Sequence, residues 1–319
     1  MSLFGSVIPS DAQGGHTFRN RFMNGDMRVW QRGTTFSSIG TSTYSADRWM
    51  SNYGGTAPTF SRSTDAPTGF KYSISLAGSS TSYHGILQRI ESLNISDLSG
   101  QTVTLSFYAK LSSGTATGGL SISVGYANSV DNFGTTTGEL ETNITSTVSG
   151  SWTRYSYTFT VSATAATNGL YVVVFNPSAS QTFTMLLTGL QLERGSLATP
   201  FESRPYGVEL QLCQRYFHSL GGDTAYQNIN TCVYYSTSEA VGFFRNPVEM
   251  RTIPTISKSG NWTVLGGAGT VGQNVSADQL GPKSIQLGFY SGASGVSGQA
   301  TVLRVSNDIN FRLTFSADT

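Results

Sequence analysis

Charge is scarce in this sequence. Asp, Glu, Lys and Arg make up 12% of its 319 residues, about half the share usual in soluble domains. Long solvated helices need such residues on their outer faces, so a helical bundle is excluded. The net charge of +1 leaves no basic excess with which to displace counterions from nucleic acid. The local run Arg19, Arg21, Arg28 and Arg32 is read as pairing with carboxylates or packing in an interface. Cysteine is limited to Cys213 and Cys232, which excludes a disulfide framework and a four-thiolate zinc site. Both are read as small buried thiols. The three histidines, His16, His84 and His218, have no metal-ligand spacing. No serine sits in a Gly-x-Ser-x-Gly frame, and Lys283-Ser284 follows Pro282 rather than the glycine a phosphate loop requires. No apolar run reaches the length of a membrane helix. Met1 to Ser10 lacks the basic and apolar regions of a signal peptide. The chain is therefore expected to be made in a cytoplasm and to stay in solution.

In place of charge the sequence has Gly, Ser, Thr, Asn and Tyr, with 36 glycines. Thr and Tyr fit a pleated surface, while Gly, Asn and Ser accept turn dihedrals. Period-two alternation recurs. Phe70, Tyr72, Ile74 and Leu76 share one face, as do Val103, Leu105, Phe107 and Ala109, and then Leu120, Ile122 and Val124. Trp152 to Val161 forms another run, Leu170 to Phe175 reads as a central strand, and Phe183, Met185 and Leu187 lead into Leu190 and Leu192. Turn signals such as Thr117-Gly118-Gly119 and Asn168-Gly169 separate them. This spacing, with no helical pattern between, predicts a β-sandwich over 21–204.

Met1 to Asn20 reads as an arm without a period of its own. One helix is expected from Val208 to Phe217, with Pro205 before it and Gly221-Gly222 after it. It defines a connector over 205–222. A second, smaller β-rich domain is expected over 223–319. The fold class is all-β, a jelly-roll sandwich followed by a connector helix and that second domain.

Three signatures go beyond composition. They are Asn24-Gly25-Asp26-Met27-Arg28-Val29-Trp30-Gln31-Arg32-Gly33, Tyr44-Ser45-Ala46-Asp47-Arg48-Trp49, and Leu190-Gln191-Leu192-Glu193-Arg194-Gly195 with Ala198 to Glu202 and Cys213 to Tyr216. In this order the sequence resembles a family of bacteriophage tail-fibre and virion appendage proteins. These carry a jelly-roll domain similar to carbohydrate-binding modules. The likeness spans about Asn20 to Tyr216. It implies a virion protein, made in the host cytoplasm, that docks to other virion proteins through the arm. A homotrimer is expected, with the C-terminal region at the exposed end, contacting host surface glycans. A decoration fibre without a receptor, a polysaccharide depolymerase and a secreted carbohydrate-binding module are the alternatives.

The physical reading of the signatures assigns them first to the fold: a turn at Asn24-Gly25-Asp26, and a carboxylate–guanidinium pair of Asp47 with Arg48 under the Trp49 indole. Pairing of the first and last strands would bring Asp26 near Glu193, which leaves a structural Ca2+ site open. No catalytic residue is expected. Asp131, Glu139 and Glu141 are placed in a solvated Gly/Thr-rich loop rather than read as a glycosidase pair. Tyr and Trp rings stack on the apolar faces of sugars. The candidate ligand contacts are therefore the aromatics in or beside expected loops: Tyr53, Tyr83, Tyr126, Phe133, Tyr226 and Tyr290.

Overall fold

The computed structural model describes residues 18–80, 82–177, 181–264, 274–290, 295–307 and 309–318. Most of the expected arm, 1–17, lies outside them. The chain divides into two compact units, the first ending at Glu209 and the second running from Leu210.

The described residues of the first unit form the strands β1 (Thr35–Phe36), β2 (Met50–Gly54), β3 (Thr59–Ser63), β4 (Ser73–Ser80), β5 (Tyr83–Ile90), β6 (Thr102–Gly114), β7 (Leu120–Ser129), β8 (Asn132–Thr145), β9 (Thr153–Thr160), β10 (Leu170–Asn176) and β11 (Gln181–Arg194). They form a six-stranded sheet, β1-β3-β4-β11-β6-β9, and a five-stranded sheet, β2-β5-β10-β7-β8. Every pairing is antiparallel. The inward residues of both sheets form one core, with Ile74, Leu76, Val103, Leu105, Phe107 and Phe183 meeting Ile86, Ile122, Val172 and Val174. This is the expected jelly-roll sandwich.

In β11 the core positions run Phe183, Met185, Leu187, Leu190 and Leu192. The three-residue step from Leu187 to Leu190 breaks period two. A register shift between Thr188 and Gln191 absorbs it, with Gly189 at φ 66°. The bulge inserts one residue and returns Leu190 and Leu192 to the core.

Two expectations are corrected in this unit. Glu139 and Glu141, placed in a Gly/Thr-rich loop, lie in β8, a hairpin partner of β7, and Asp131 sits in the turn before it. A short helix, α1 (Ala163–Asn168), precedes Gly169, capped by the Ser162 hydroxyl on Ala165 N–H.

The connector over 205–222 is also corrected. The helix is α2 (Tyr206–Gln214), shorter than expected, and Phe217–Leu220 is a strand, β12. The second unit continues with β13 (Asn228–Tyr234), β14 (Glu239–Arg245), β15 (Thr255–Ser259), β16 (Trp262–Val264), β17 (Asn274–Leu280), β18 (Ser284–Tyr290), β19 (Ala300–Val305) and β20 (Arg312–Ser316). A three-stranded sheet, β12-β20-β15, and a six-stranded sheet, β16-β19-β13-β14-β18-β17, enclose a second core. Among the described residues no helix is long and apolar enough to cross a membrane.

Candidate functional site

The three signatures converge on one seam. The Asn24 side chain clamps Val29, donating to its carbonyl and accepting from its amide, both at 2.9 Å. The Trp49 indole donates to Asn24 O at 2.9 Å. Gly25 N–C=O runs against β11, where Leu190 N–H donates to Gly25 O. A Cβ at Gly25 would lie 2.1 Å from Leu190 O, so only glycine fits. Asn20 bonds both Leu190 O and Leu192 N–H at 3.0 Å. The Glu202 carboxylate accepts from Asn20 N–H and faces Arg204, which also pairs with Glu209 at 3.4 Å. The motifs tie the irregular segment 20–29 to β11; the expected pairing of first and last strands is corrected, since β1 pairs with β3 and β11 lies between β4 and β6. Asp47 accepts from Gln31 N–H and pairs with Arg32 at 3.4 Å, while Arg48 donates to Arg89 O and faces the Tyr44 ring.

Asp26 and Glu193 belong to separate networks here. Asp26 pairs with Arg28. Glu193 accepts from Gln191 Nε2 at 2.8 Å and from both the amide and the hydroxyl of Thr199, with Arg19 at 3.7 Å. A calcium ion wants six to eight oxygens free of other donors. These carboxylates are engaged by cations and N–H or O–H groups, so the pair does not fit one. Among the described residues no group of three or more His, Cys, Asp or Glu could hold a metal.

Burial raises the Asp26 carboxyl from 3.8 to about 6; the Arg28 guanidinium opposes the rise and nearby Glu209 adds to it. A carboxyl with a raised folded pKa stabilises the fold fully below its unfolded pKa, and that contribution is lost as pH rises through the folded one. The window is therefore about pH 4 to 6. A shift of about two units corresponds to roughly 3 kcal/mol. The expected result is that Asp26→Asn flattens the pH dependence of first-unit stability by about this amount between pH 7 and pH 4. Denaturant melts of both proteins across that range check it; parallel curves would contradict it.

A cleft of about 380 Å3 opens on the outer face of the five-stranded sheet. Its floor follows from the pairing register. Arg89, Tyr171, Gly125 and Gly138 form one row across β5, β10, β7 and β8, and Leu87, Val173, Ser123 and Glu141 form the next. Asn52, Gly85 and Phe175 form a third across β2, β5 and β10. Side chains on these rows point away from the core because their neighbours, Ile86, Val172, Val174 and Ile122, point into it. Ser42, Tyr83, Phe133 and Thr136 complete the lining.

Tyr171 lies along this floor. A Cβ built on Gly125 would meet the Tyr171 hydroxyl at 2.5 Å, and one on Gly138 would meet it at 3.4 Å. The two glycines clear a path for the ring over β7 and β8, and Ser123 is its register neighbour two residues along β7. Burial, followed by the nearby Glu141 and Glu139 carboxylates, keeps this phenol above its usual range. Phe175 packs edge-on against Tyr83 at 5.8 Å, over Gly85. The Arg89 guanidinium stacks on Phe133 at 5.4 Å. Apolar rings, one cation, one carboxylate and several neutral hydrogen-bonding groups thus share one open surface.

Residues 38–181 match the family model described as "Carbohydrate binding domain". The match covers β2 to β10 and the cleft, less than half of the chain, and stops where β11 begins. The first unit is similar to carbohydrate-binding modules over that segment. Solved structures include a tailspike protein 4 enzymatically active domain of bacteriophage CBA120, at 17% identity over 56% of this chain and 22% of that one, TM-score 0.38. The CBM22-1 xylan-binding domain of Paenibacillus barcinonensis Xyn10C aligns at 17% identity over 51% of this chain and 94% of its own, TM-score 0.34. The C-terminal family 22 carbohydrate binding module of Clostridium thermocellum Xyn10B aligns at 15% identity over 50% of this chain and 93% of its own, TM-score 0.37. Likenesses this low do not bear on function. This chain spans about a fifth of the tailspike domain's length. No curated protein matches the sequence.

The candidate aromatics divide. Tyr83 and Phe133 line the cleft. Tyr53 is paired with inward-facing His84 and meets its ring edge-on at 6.3 Å. Tyr126 packs against the core. Tyr226 stands in the second unit, stacked by Arg304 at 5.2 Å. Tyr290 ends β18, and its side chain lies outside the described residues. Asp131 accepts from the Ser92 amide and hydroxyl, a structural role at the hairpin. His84 and His218 are buried, the latter stacked on Phe315 at 4.4 Å and bonded to Asn246. Arg89, Tyr171 and Phe175 were not anticipated as contacts.

Proposed function

We propose that the first unit binds glycans in the cleft of its five-stranded sheet, without acting on them. The observation that carries this reading is the Tyr171 ring laid across Gly125 and Gly138 in an open cleft. Pyranose rings present apolar C–H faces to such a surface, while their hydroxyls need partners of the kind that Asn52, Ser123, Arg89 and Glu141 offer around it. The family match over 38–181 supports it.

We further propose that the chain is a phage appendage protein that presents this cleft to host-surface glycans. The three sequence signatures support that setting. In it the residues 1–20 arm joins other virion proteins and the chain acts as a trimer. Affinity electrophoresis of the full chain against neutral, acidic and bacterial-envelope polysaccharides tests the binding. Retardation by at least one of them is expected, with no release of reducing ends on incubation. Retardation by none would leave a decoration fibre as the better reading, and released oligosaccharide would make the protein an enzyme.

A further inference from the structure

The outer face of the second unit's six-stranded sheet has the composition of an interior. Across β19, β13, β14 and β18 the register aligns Val302 with Thr231, Ala300 with Val233, Val233 with Val241, and Phe243 with Gln286. Their chain neighbours Cys232, Ala240, Phe244, Leu287 and Leu303 fill the core on the other side. Yet Val233 is 44% exposed and Phe243 is 72% exposed, and Tyr235, just past β13, is 73% exposed. Strand faces left to water carry polar residues at such positions. A contiguous apolar face on a soluble domain marks an interaction site.

We propose that this face is an interface between copies of this chain. Its centre, from Val302 to Phe243, carries no charged side chain, so identical faces meet without like-charge repulsion. Charge appears at its margin and in both signs: Glu239 and Arg245 end β14, and Arg304 lies in β19. A charge-poor centre with a polar rim is the anatomy of a protein interface. A rim of both signs lets a symmetric pairing set Arg against Glu. A glycan is the poorer occupant, because Thr231 and Gln286 are the hydrogen-bonding side chains among the aligned central positions. A face that meets its own copy makes a two-fold contact, so the inference names a pairing face distinct from any contact within a trimer, and it stands whether or not the cleft binds sugar.

Light scattering of the full chain after gel filtration, at micromolar concentration, tests it. The expected mass is at least twice 34.1 kDa. Phe243→Glu and Tyr235→Glu should each return the mass to 34.1 kDa with an unchanged thermal melt. Lys258→Glu, on exposed β15 of the other sheet, should keep the assembly. A wild-type protein at the monomer mass, or glutamate variants that fold and remain assembled, would overturn the proposal. If one variant fails to fold, the other decides. Polysaccharide retardation is read separately, so loss of assembly and loss of glycan binding are distinguishable.

Discussion

Trp49→Ala is expected to lower the stability of the first unit by about 3–5 kcal/mol. The ring is fully buried and meets Phe22 at 5.2 Å. Removing it opens a cavity among residues held by two sheets, which cannot collapse around it. It also strips Asn24 O of the indole N–H at 2.9 Å, leaving the Met27 N–H at 3.2 Å as its donor; one lost hydrogen bond of this kind costs about 0.5–1.5 kcal/mol, partly included in the total. Trp30 provides the contrast. It is half-buried at the margin of the core, stacked on Phe36 at 6.5 Å. Its alanine variant should cost about half as much, because less surface leaves water. Urea melts followed by circular dichroism compare them. Equal midpoints for wild type and Trp49→Ala would mean that the seam does not hold the sandwich closed.

The same seam shows why some of the molecule was legible beforehand. Alternation needs only the order of residues, so β6, β7, β10 and β11 could be read directly, whereas the bulge at the Leu187 to Leu190 step appears only in the pairing register. The Asn24 turn was readable because its side chain acts on Val29, close to its own position; Gly25 and Trp49 act across the chain, on Leu190 and Asn24. Asp26 and Glu193 went the other way. Their partners Arg28, Thr199 and Gln191 satisfy each carboxylate locally, and closeness of two segments does not fix where two side chains point.

The cleft was illegible for a different reason. Leu170 to Phe175 is apolar on both faces, which reads as a strand buried on both sides. One face, Leu170, Val172 and Val174, does enter the core. The other, Tyr171, Val173 and Phe175, is covered by no further layer and lines the cleft. Nothing in a one-dimensional pattern separates those cases. Searching loops for aromatics found Tyr83 and Phe133 but also Tyr53 and Tyr126, whose register partners His84 and Leu170 turn them inward. One signal was present: Gly125 and Gly138 occupy strand interiors, where glycine marks a close approach. Their pairing in one row with Tyr171 appears only once β7, β8 and β10 are in register.

Tyr171→Ala is expected to weaken binding to whichever polysaccharide retards the wild-type chain by about thirtyfold, corresponding to about 2 kcal/mol, the scale of a central aromatic contact. Folding should be little affected. The ring lies on the outer face of β10, and its loss leaves the inward residues Leu170, Val172 and Val174 in place. Tyr171→Phe separates the two things the side chain offers. It keeps the flat ring over Gly125 and Gly138 and removes the hydroxyl. If stacking dominates, this variant should bind within about threefold of wild type, since a single neutral hydrogen bond contributes only about 0.5–1.5 kcal/mol. Gly125→Ala approaches the same point from the backbone. Its Cβ would stand 2.5 Å from the Tyr171 hydroxyl and 2.2 Å from Thr137 O, so it should lift the ring from the floor and lose binding although no ligand contact has been deleted. Calorimetric titration of the four proteins ranks them. Undiminished affinity in Tyr171→Ala, with the fold intact, would place the sugar somewhere other than this cleft.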